Sequence, residues 1–342
     1  MIRFRGAKPA FTLTLLSTLF AVIVVVLGAF TRLVDAGLGC PDWPGCYGHL
    51  WAPTSSVEIQ AANAAYPDMP VDLNKTWPEM VHRYLASSLG VLIIAIVVVS
   101  LRNRQDQDQP FKLPIFLLGL VILQGIFGMW TVTLKLWPQV VTAHLLGGFT
   151  TFCLLWLLSL RLSGWKRVDR FDLSINRLPT ALALITLLAV VAQVLLGGWT
   201  TSNYAALACP DLPTCQGQWI PDADYGHGFN FFQQIGPNYL GGQLDAAGRI
   251  AIHYSHRIGA IIVSVLCLML AWRLMKIGFR ALGYLLVAVL FTQVALGISN
   301  VAFLLPLPVA VLHNLVGALL LALVVTVNYR IYREVNHGHR TA

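Results

Sequence analysis

The chain has 342 residues, of which 57% are hydrophobic and only 11% are charged. Soluble domains usually carry about a quarter charged residues, so this chain has too few to cover a water-facing surface. The composition excludes an ordinary cytosolic enzyme and a disordered chain. The six cysteines are too few for a disulfide-rich scaffold. The formal net charge of +8 would suit a nucleic-acid partner, but its distribution along the chain indicates otherwise.

Eight apolar segments are each long enough to cross a bilayer, which takes about 20 residues. The first follows a basic lead, but it is long for a signal peptide and no small-residue cleavage pattern follows it, so we expect it to be retained. We predict an all-α integral membrane protein with helices at about 10–31, 80–101, 113–134, 139–161, 179–201, 250–273, 281–304 and 308–330.

The charged residues indicate the orientation of these helices. One side, which includes both termini, carries 17 basic and five acidic residues, a net charge of +12. The other side carries six basic and ten acidic residues, a net charge of −4, and the two long loops at about 32–78 and 202–249. Because cytoplasmic segments are enriched in basic residues, we expect both termini in the cytoplasm. The basic balance then reflects topology and contact with anionic membrane lipid, not a nucleic-acid partner.

The chain contains an internal repeat. Residues 40–48 read CPDWPGCYG, and residues 209–217 read CPDLPTCQG. A shift of 169 or 174 positions also relates residues inside the predicted helices: Gly28 and Gly197, Gln124 and Gln293, Gly128 and Gly297, His144 and His313, His82 and His256. We therefore predict two four-helix bundles, 1–165 and 166–342, related as a parallel repeat about an axis along the membrane normal.

Five of the nine histidines lie at the predicted outer ends of helices: His82, His144, His253, His256 and His313. Ionisable residues at membrane depth are costly and usually functional. Two neutral imidazoles that face each other across a bundle can be the axial ligands of a haem iron. We predict such pairs for His82 with His144 and for His256 with His313. The alternative for each histidine is a single interhelical hydrogen bond, and no cluster of short ligand spacing favours zinc.

One position near these histidines differs between the halves. Glu79 lies three residues before His82 and hence on the same helix face, whereas the matching residue before His256 is His253. This difference predicts chemistry with a carboxylate in one half and storage of electrons in the other. The alternative is that Glu79, which follows Pro78, is a first-turn acid that complements the helix dipole.

Two arginines directly follow the candidate ligands, Arg83 after His82 and Arg257 after His256. Haem carries two propionates, and guanidinium groups bind carboxylates through paired hydrogen bonds. We predict that these arginines, with Arg32 as a third candidate, bind propionates. The alternative is that they extend to lipid headgroups.

Each long loop contains two cysteines separated by five residues, Cys40 with Cys46 and Cys209 with Cys215. Both pairs lie on the outer side, where oxidation is favoured, and prolines between them bend the chain so that the sulfur atoms can meet. We predict two structural disulfides. The alternative is a redox-active pair, which is favoured more for the first loop because that loop shares a half with the candidate carboxylate.

Two further local patterns carry structural predictions. Gln124, Gln193 and Gln293 lie in mid-helix, where we expect interhelical hydrogen bonds without a functional role. Ser55 and Glu58 have the spacing of a capping box and predict a short helix in the first long loop.

Together these residues resemble haem A synthases of the bacterial type, and the resemblance covers nearly the whole chain. Some members of that family lack the loop cysteines, so their presence here points to a multi-pass protein of a bacterial plasma membrane. The segments that carry the resemblance are 28–46 (GAFTRLVDAGLGCPDWPGC), Glu79 to Arg83, His144, His253 to Arg257, and His313.

The resemblance implies an oxidoreductase that converts the C8 methyl of haem O into a formyl group, giving haem A for terminal oxidases. A permanent haem b would lie between His256 and His313, and haem O would bind between His82 and His144. Glu79 would be the catalytic carboxylate, with the first disulfide beside it. The resemblance also implies a haem O synthase as upstream partner, an electron donor of unknown identity and, for some members, homo-oligomers.

Two other functions would use the same histidines. A di-haem cytochrome b would carry electrons between the membrane faces, but all four candidate ligands lie near the outer face. A haem exporter or chaperone would explain the histidines, but it leaves the difference between Glu79 and His253 without a reason.

Overall fold

The computed structural model describes residues 9–106, 110–163 and 178–341. All named elements within these residues are helices: α1 (Pro9–Leu33), α2 (Ser56–Ala65), α3 (Leu73–Arg102), α4 (Lys112–Thr133), α5 (Pro138–Leu162), α6 (Leu178–Ser202), α7 (Tyr225–Gly228), α8 (Ala246–Lys276), α9 (Arg280–Ala302) and α10 (Leu307–Thr341). All except α2 and α7 are long and apolar enough to cross a membrane. The predicted all-α membrane fold with eight spanning helices is confirmed.

Three helices extend beyond their predicted bounds. Helices α3 and α8 begin before residues 80 and 250, and α10 continues past residue 330. Each early start is capped by an aspartate, Asp72 or Asp245, whose carboxylate accepts a hydrogen bond from a backbone N–H of the first turn. Hydropathy detects only the apolar part of a helix, so it misses these polar first turns. His82 and His256 therefore lie in the third turn rather than at a helix start.

The spanning helices form two groups with equivalent contacts. In the first group α1 and α4 each pack against α3 and α5, and in the second α6 and α9 each pack against α8 and α10. Contacts of α5 with α6, α1 with α10 and α5 with α10 join the groups. Buried side chains such as Leu155, Leu270 and Val324 form one apolar core across both groups. The basic lead and the 164–177 link lie outside the described residues, so the cytoplasmic termini stay a prediction.

The two long loops with the cysteine pairs are constructed alike. Disulfides join Cys40 to Cys46 and Cys209 to Cys215, which confirms the predicted pairing, and all four residues are fully buried. In the first loop the Asp42 carboxylate accepts hydrogen bonds from the backbone N–H groups of Tyr47 and Gly48, at 2.6 and 2.7 Å. The equivalent Asp211 does the same at 2.7 and 3.0 Å. The loop conformation is therefore set by covalent and hydrogen bonds within each loop.

The first loop also contains the predicted short helix, α2. Its N-cap is Ser55, whose side chain accepts a hydrogen bond from the Glu58 backbone N–H, and the Glu58 carboxylate accepts one from the Ser55 N–H at 3.1 Å. The capping box is confirmed.

The halves meet at the outer ends of α1 and α6. Arg32 donates a 2.5 Å hydrogen bond to the Thr201 carbonyl, and its guanidinium lies 4.2 Å from the centre of the Tyr204 ring. The Tyr204 hydroxyl donates to the Asp35 carboxylate at 2.8 Å. Both hydrogen bonds join residues 169 positions apart, so each joins a residue to its own equivalent in the other half. Arg32 thus joins the two halves, and its contact with a haem propionate stays a prediction.

Candidate functional site

Helices α3 and α5 bring His82 and His144 together, as predicted. Their ring centroids lie 6.5 Å apart, and the ring planes are nearly perpendicular, at 86°. If both imidazoles bound one metal ion, with each metal–nitrogen bond about 2 Å long, the two ring centres would lie about 6 Å apart. The Nδ1 atoms of both rings are buried and have no hydrogen-bond partner. Unpaired buried nitrogens are rare, so the pair fits the axial-ligand role; haem binding itself stays a prediction.

The second histidine pair lies in the equivalent place. His256 on α8 and His313 on α10 are the repeat equivalents of His82 on α3 and His144 on α5. Unlike the first pair, each ring here has an amide neighbour. The Gln193 Nε2 lies 3.1 Å from the His256 Nδ1, and the Gln293 Nε2 lies 3.3 Å from the His313 Nε2. These contacts confirm the predicted interhelical hydrogen bonds of both glutamines; the amide nitrogen of Gln124, in contrast, is buried without a partner.

A glycine of the adjacent helix lies against each of the four imidazoles. At Gly28 an added Cβ would lie 2.9 Å from the His82 Cε1, and at Gly297 it would lie 3.1 Å from the His313 Cε1. The same distances are 3.5 and 3.4 Å for the two remaining glycine–histidine pairs: Gly128 with His144, and Gly197 with His256. The helices approach closely only because these positions lack side chains. The repeat marks these glycines in the sequence, but their contact with the histidines becomes visible only in the structure.

The space around further glycines differs from position to position. An added Cβ at Gly90 or at Gly148 would meet no atom within 4 Å, whereas at Gly147 it would overlap the Gln124 amide. At Gly317, the second-half equivalent of Gly148, it would meet the Gln293 amide at 3.3 Å. Glutamine amides therefore lie against a glycine of the histidine-bearing helix in both halves.

Glu79 lies on the same helix as His82 and is buried, with 6% of its side chain exposed. One carboxylate oxygen accepts a 2.9 Å hydrogen bond from the backbone N–H of Cys40, and the other lies 2.5 Å from the Arg83 guanidinium. The disulfide loop and the arginine together orient the carboxylate. Glu79 is the seventh residue of α3, whose first turn has no acidic residue. The interpretation of Glu79 as a first-turn acid is therefore wrong, because Pro78 lies inside the helix.

His253 occupies the corresponding position in the second half and is also buried. The Cys209 backbone N–H donates to its Nδ1 at 3.2 Å, and the Arg257 Nε lies 3.3 Å from its Nε2. The equivalent backbone N–H groups of the two loops, at Cys40 and Cys209, therefore donate to a carboxylate in one half and to an imidazole in the other. Only the first half has an acid beside its histidine pair.

Both arginines bind the disulfide loops. The Arg83 Nη1 donates to the carbonyls of Asp42 and Gly45 at 3.0 and 2.5 Å. The Arg257 Nη1 donates to the two equivalent carbonyls at 2.8 and 2.7 Å. These contacts turn the guanidinium groups towards the loops, and the alternative of an extension to lipid headgroups stays untested. Binding of haem propionates stays a prediction for both.

One tyrosine of the first loop lies close to the acid. Burial, together with the nearby charge of Glu79, raises the pKa of the Tyr47 phenol to about 12. The hydroxyl donates to the Met69 carbonyl at 3.0 Å. Tyr47 therefore remains protonated at physiological pH and does not compete with Glu79 as a proton acceptor.

Comparison with known proteins identifies the family. Residues 11–325 match the model of the COX15-CtaA family, described as cytochrome oxidase assembly proteins. A haem A synthase of Shewanella oneidensis is 48% identical over 93% of this chain and 96% of its own length. A haem A synthase of Caulobacter vibrioides is 29% identical over 91% of this chain and 92% of its own length. The chain thus belongs to the haem A synthase family.

Proposed function

We propose that this protein is a haem A synthase, an oxidoreductase that converts the C8 methyl group of haem O into a formyl group. The observation that carries the proposal is the combination, in one half only, of a facing histidine pair with a buried carboxylate on the same helix. His82 and His144 supply the pair, and Glu79 supplies the carboxylate. The family relationship supports the same activity.

The two halves would have different tasks. The first, residues 1–165, would receive haem O between His82 and His144, whose rings face each other. The second, residues 166–342, would keep haem b between His256 and His313, where glutamine amides contact both imidazoles. When bound, haem b would supply one-electron chemistry that the side chains cannot perform.

Oxidation of a methyl to a formyl group removes four electrons and adds one oxygen atom, so protons must leave the substrate carbon. The Glu79 carboxylate can accept such protons or stabilise positive charge that develops on the carbon. A charge acts more strongly in a site shielded from water, and Glu79 is nearly fully buried. The Cys40 N–H and the Arg83 guanidinium fix its orientation before substrate arrives, which lowers the cost of reorganisation.

His82 and His144 would both hold the haem O iron. The reaction would then require either the release of one of these histidines or an oxidation of the methyl group that leaves both in place. Arg83 and the first disulfide would hold the loop that positions Glu79.

The proposed setting is a bacterial plasma membrane with the disulfide loops on the outer side. Haem O has to come from a haem O synthase, and the identity of the electron donor is open. Some relatives form homo-oligomers, and we extend that expectation to this chain.

Co-expression with a haem O synthase in a host that makes no haem A tests the proposal. We expect extracted haems to include haem A only when both proteins are present, with haem O synthase alone as the control. If the purified protein is folded and loaded with haem but yields only haem O and haem b, the proposal is wrong.

A further inference from the structure

The side chain of Gln124 on α4 is a buried donor without an acceptor. Only 8% of the residue is exposed, and its Nε2 has no hydrogen-bond partner. Buried polar groups are nearly always hydrogen-bonded, so such an amide calls for a partner. Gln124 lies one turn before Gly128, whose added Cβ would lie 3.5 Å from the His144 ring. The unpaired amide is therefore close to the candidate site for haem O.

A glycine on α5 makes the place in which this amide lies. An added Cβ at Gly147, one turn beyond the candidate ligand on the same helix, would overlap the Gln124 amide. The shift of 169 gives Val316 at the matching position of α10, where a side chain fills that place. The equivalent glutamine there, Gln293, has its Nε2 3.3 Å from the His313 ring instead. Only in the first half is the amide nitrogen buried without a partner.

Glu79 and the Gln124 amide lie on opposite sides of the first histidine pair. Helices α3 and α5 are separated by one other spanning helix, so they run in the same direction. Glu79 precedes His82, on the side of the disulfide loop, whereas Gly147, against which the amide lies, follows His144. A haem between the histidines would therefore have charged groups near one edge and a neutral amide near the other.

Haem O has two edges of matching chemistry. Both propionates lie along one edge, and the opposite edge carries the hydroxyethylfarnesyl chain at C2, with its hydroxyl group next to the ring. With the propionates on the side of Arg83, as predicted, this hydroxyl is on the side of Gln124. An amide can donate to a hydroxyl and accept from it. The C8 methyl shares its pyrrole ring with a propionate, so it lies towards the side of Glu79.

We propose that Gln124, in the place left by Gly147, binds the hydroxyl group of haem O and so distinguishes haem O from haem b, which has a vinyl group at C2. A site built to bind a hydroxyl disfavours an analogue that lacks it, because the buried amide is then left unpaired. The proposal rests on the proposed function for the assignment of haem O to the first pair. It gives Gln124 a role in substrate selection that the sequence did not predict.

Two haems that differ only in hydroxyl groups test this contact. Haematohaem carries hydroxyethyl groups where mesohaem carries ethyl groups. Both are titrated into protein purified with haem b but without a haem O synthase, and binding that is lost in His82→Ala is assigned to the first pair. We expect Gln124→Met to lower the preference for haematohaem over mesohaem about 3- to 10-fold, the usual effect of one buried hydrogen bond. Leu123→Met, on the exposed side of α4, is the matched control.

An unchanged preference in Gln124→Met would overturn the proposal. Equal weakening of both haems would also contradict it, because the amide would then support the fold and not the hydroxyl.

A second variant keeps the glutamine and removes its place. Gly147→Ala puts a methyl group where the amide lies, so we expect a similar loss of preference for haematohaem. Full preference in this variant would contradict the proposal, because the amide would not act from the place at Gly147. Mesohaem serves in both variants as the measure of an intact first pair.

These titrations involve no oxidation, so their outcome is independent of the proposed activity. A wild type that makes no haem A would defeat the proposed function but not the effect of Gln124 on binding. An unchanged preference in both variants would defeat the role of Gln124 and leave the proposed function standing.

Discussion

The outer ends of α3 and α8 share one architecture and differ in one chemical group. In both, a disulfide loop points a backbone N–H at the helix, and an arginine binds the loop carbonyls. The N–H meets the carboxylate of Glu79 in the first half and the imidazole of His253 in the second. The fold therefore does not require an acid at this position, since the same loop packs on an imidazole. A buried carboxylate that is not needed for folding is a strong candidate for chemistry.

The largest effect is expected when one candidate haem ligand is removed from each half in turn. His256→Ala should abolish binding of haem b, because a haem with one protein ligand is held far more weakly in this bundle. His82→Ala should keep haem b in full and lose haem O. Haem content per protein, measured as the pyridine haemochrome, checks both. Equal loss of haem b in the two variants would show that the halves are not divided as proposed.

The second prediction concerns the acid. Glu79→Gln should lower haem A formation by about 100-fold or more, the usual range for a general acid–base group, with haem b retained. Glu79→His gives the first half the side chain of the second and should be equally inactive. His253→Glu is the matched control and should leave haem A formation intact. The ratio of haem A to haem O in extracts provides the readout, and a normal ratio in Glu79→Gln would remove Glu79 from the mechanism.

The third prediction compares the disulfides. Each closes a loop of seven residues, for which chain entropy gives a stabilisation of about 2 kcal/mol. Cys40→Ser with Cys46→Ser should therefore loosen the loop that orients Glu79 and reduce haem A formation, by up to about 30-fold. The corresponding change at Cys209 and Cys215 should lower the thermal unfolding midpoint by a similar amount with a smaller effect on product. Equal effects on product would contradict the asymmetry.

The smallest expected effect comes from the glycines. A Cβ at Gly28 would lie 2.9 Å from the His82 ring, whereas a Cβ at Gly197 would lie 3.4 Å from the His256 ring. Overpacking costs about 1–3 kcal/mol when neighbours must move. Gly28→Ala should thus reduce haem O occupancy by about fivefold or more, and Gly197→Ala should leave haem b occupancy nearly unchanged. Titration of each purified variant with its haem gives both affinities, and a larger loss in Gly197→Ala would contradict the geometry.

The sequence alone predicted the membrane fold, because eight apolar segments and two long loops can be recognised with few assumptions about packing. Its failures have a physical cause. The first turns of α3 and α8 are polar and capped by aspartates, so hydropathy placed His82 and His256 too near the helix start. This error also made the helix-dipole interpretation of Glu79 credible, although the residue lies well inside α3.

The candidate site was predictable wherever the residue type itself was unusual for a membrane helix. Histidines, the acid and the arginines stand out against apolar neighbours, and the repeat pairs them. Gly28 is marked by the repeat but not by its residue type, because glycine is common at helix contacts. Its role depends on which atom of the neighbouring helix it meets, and one sequence does not contain that distance.

The most direct test of the proposed division of labour is an experimental density map of the wild-type protein purified from cells that lack a haem O synthase. We expect one haem b per chain, held between His256 and His313, with no haem between His82 and His144. A haem b found between His82 and His144, or one in each half, would contradict the account.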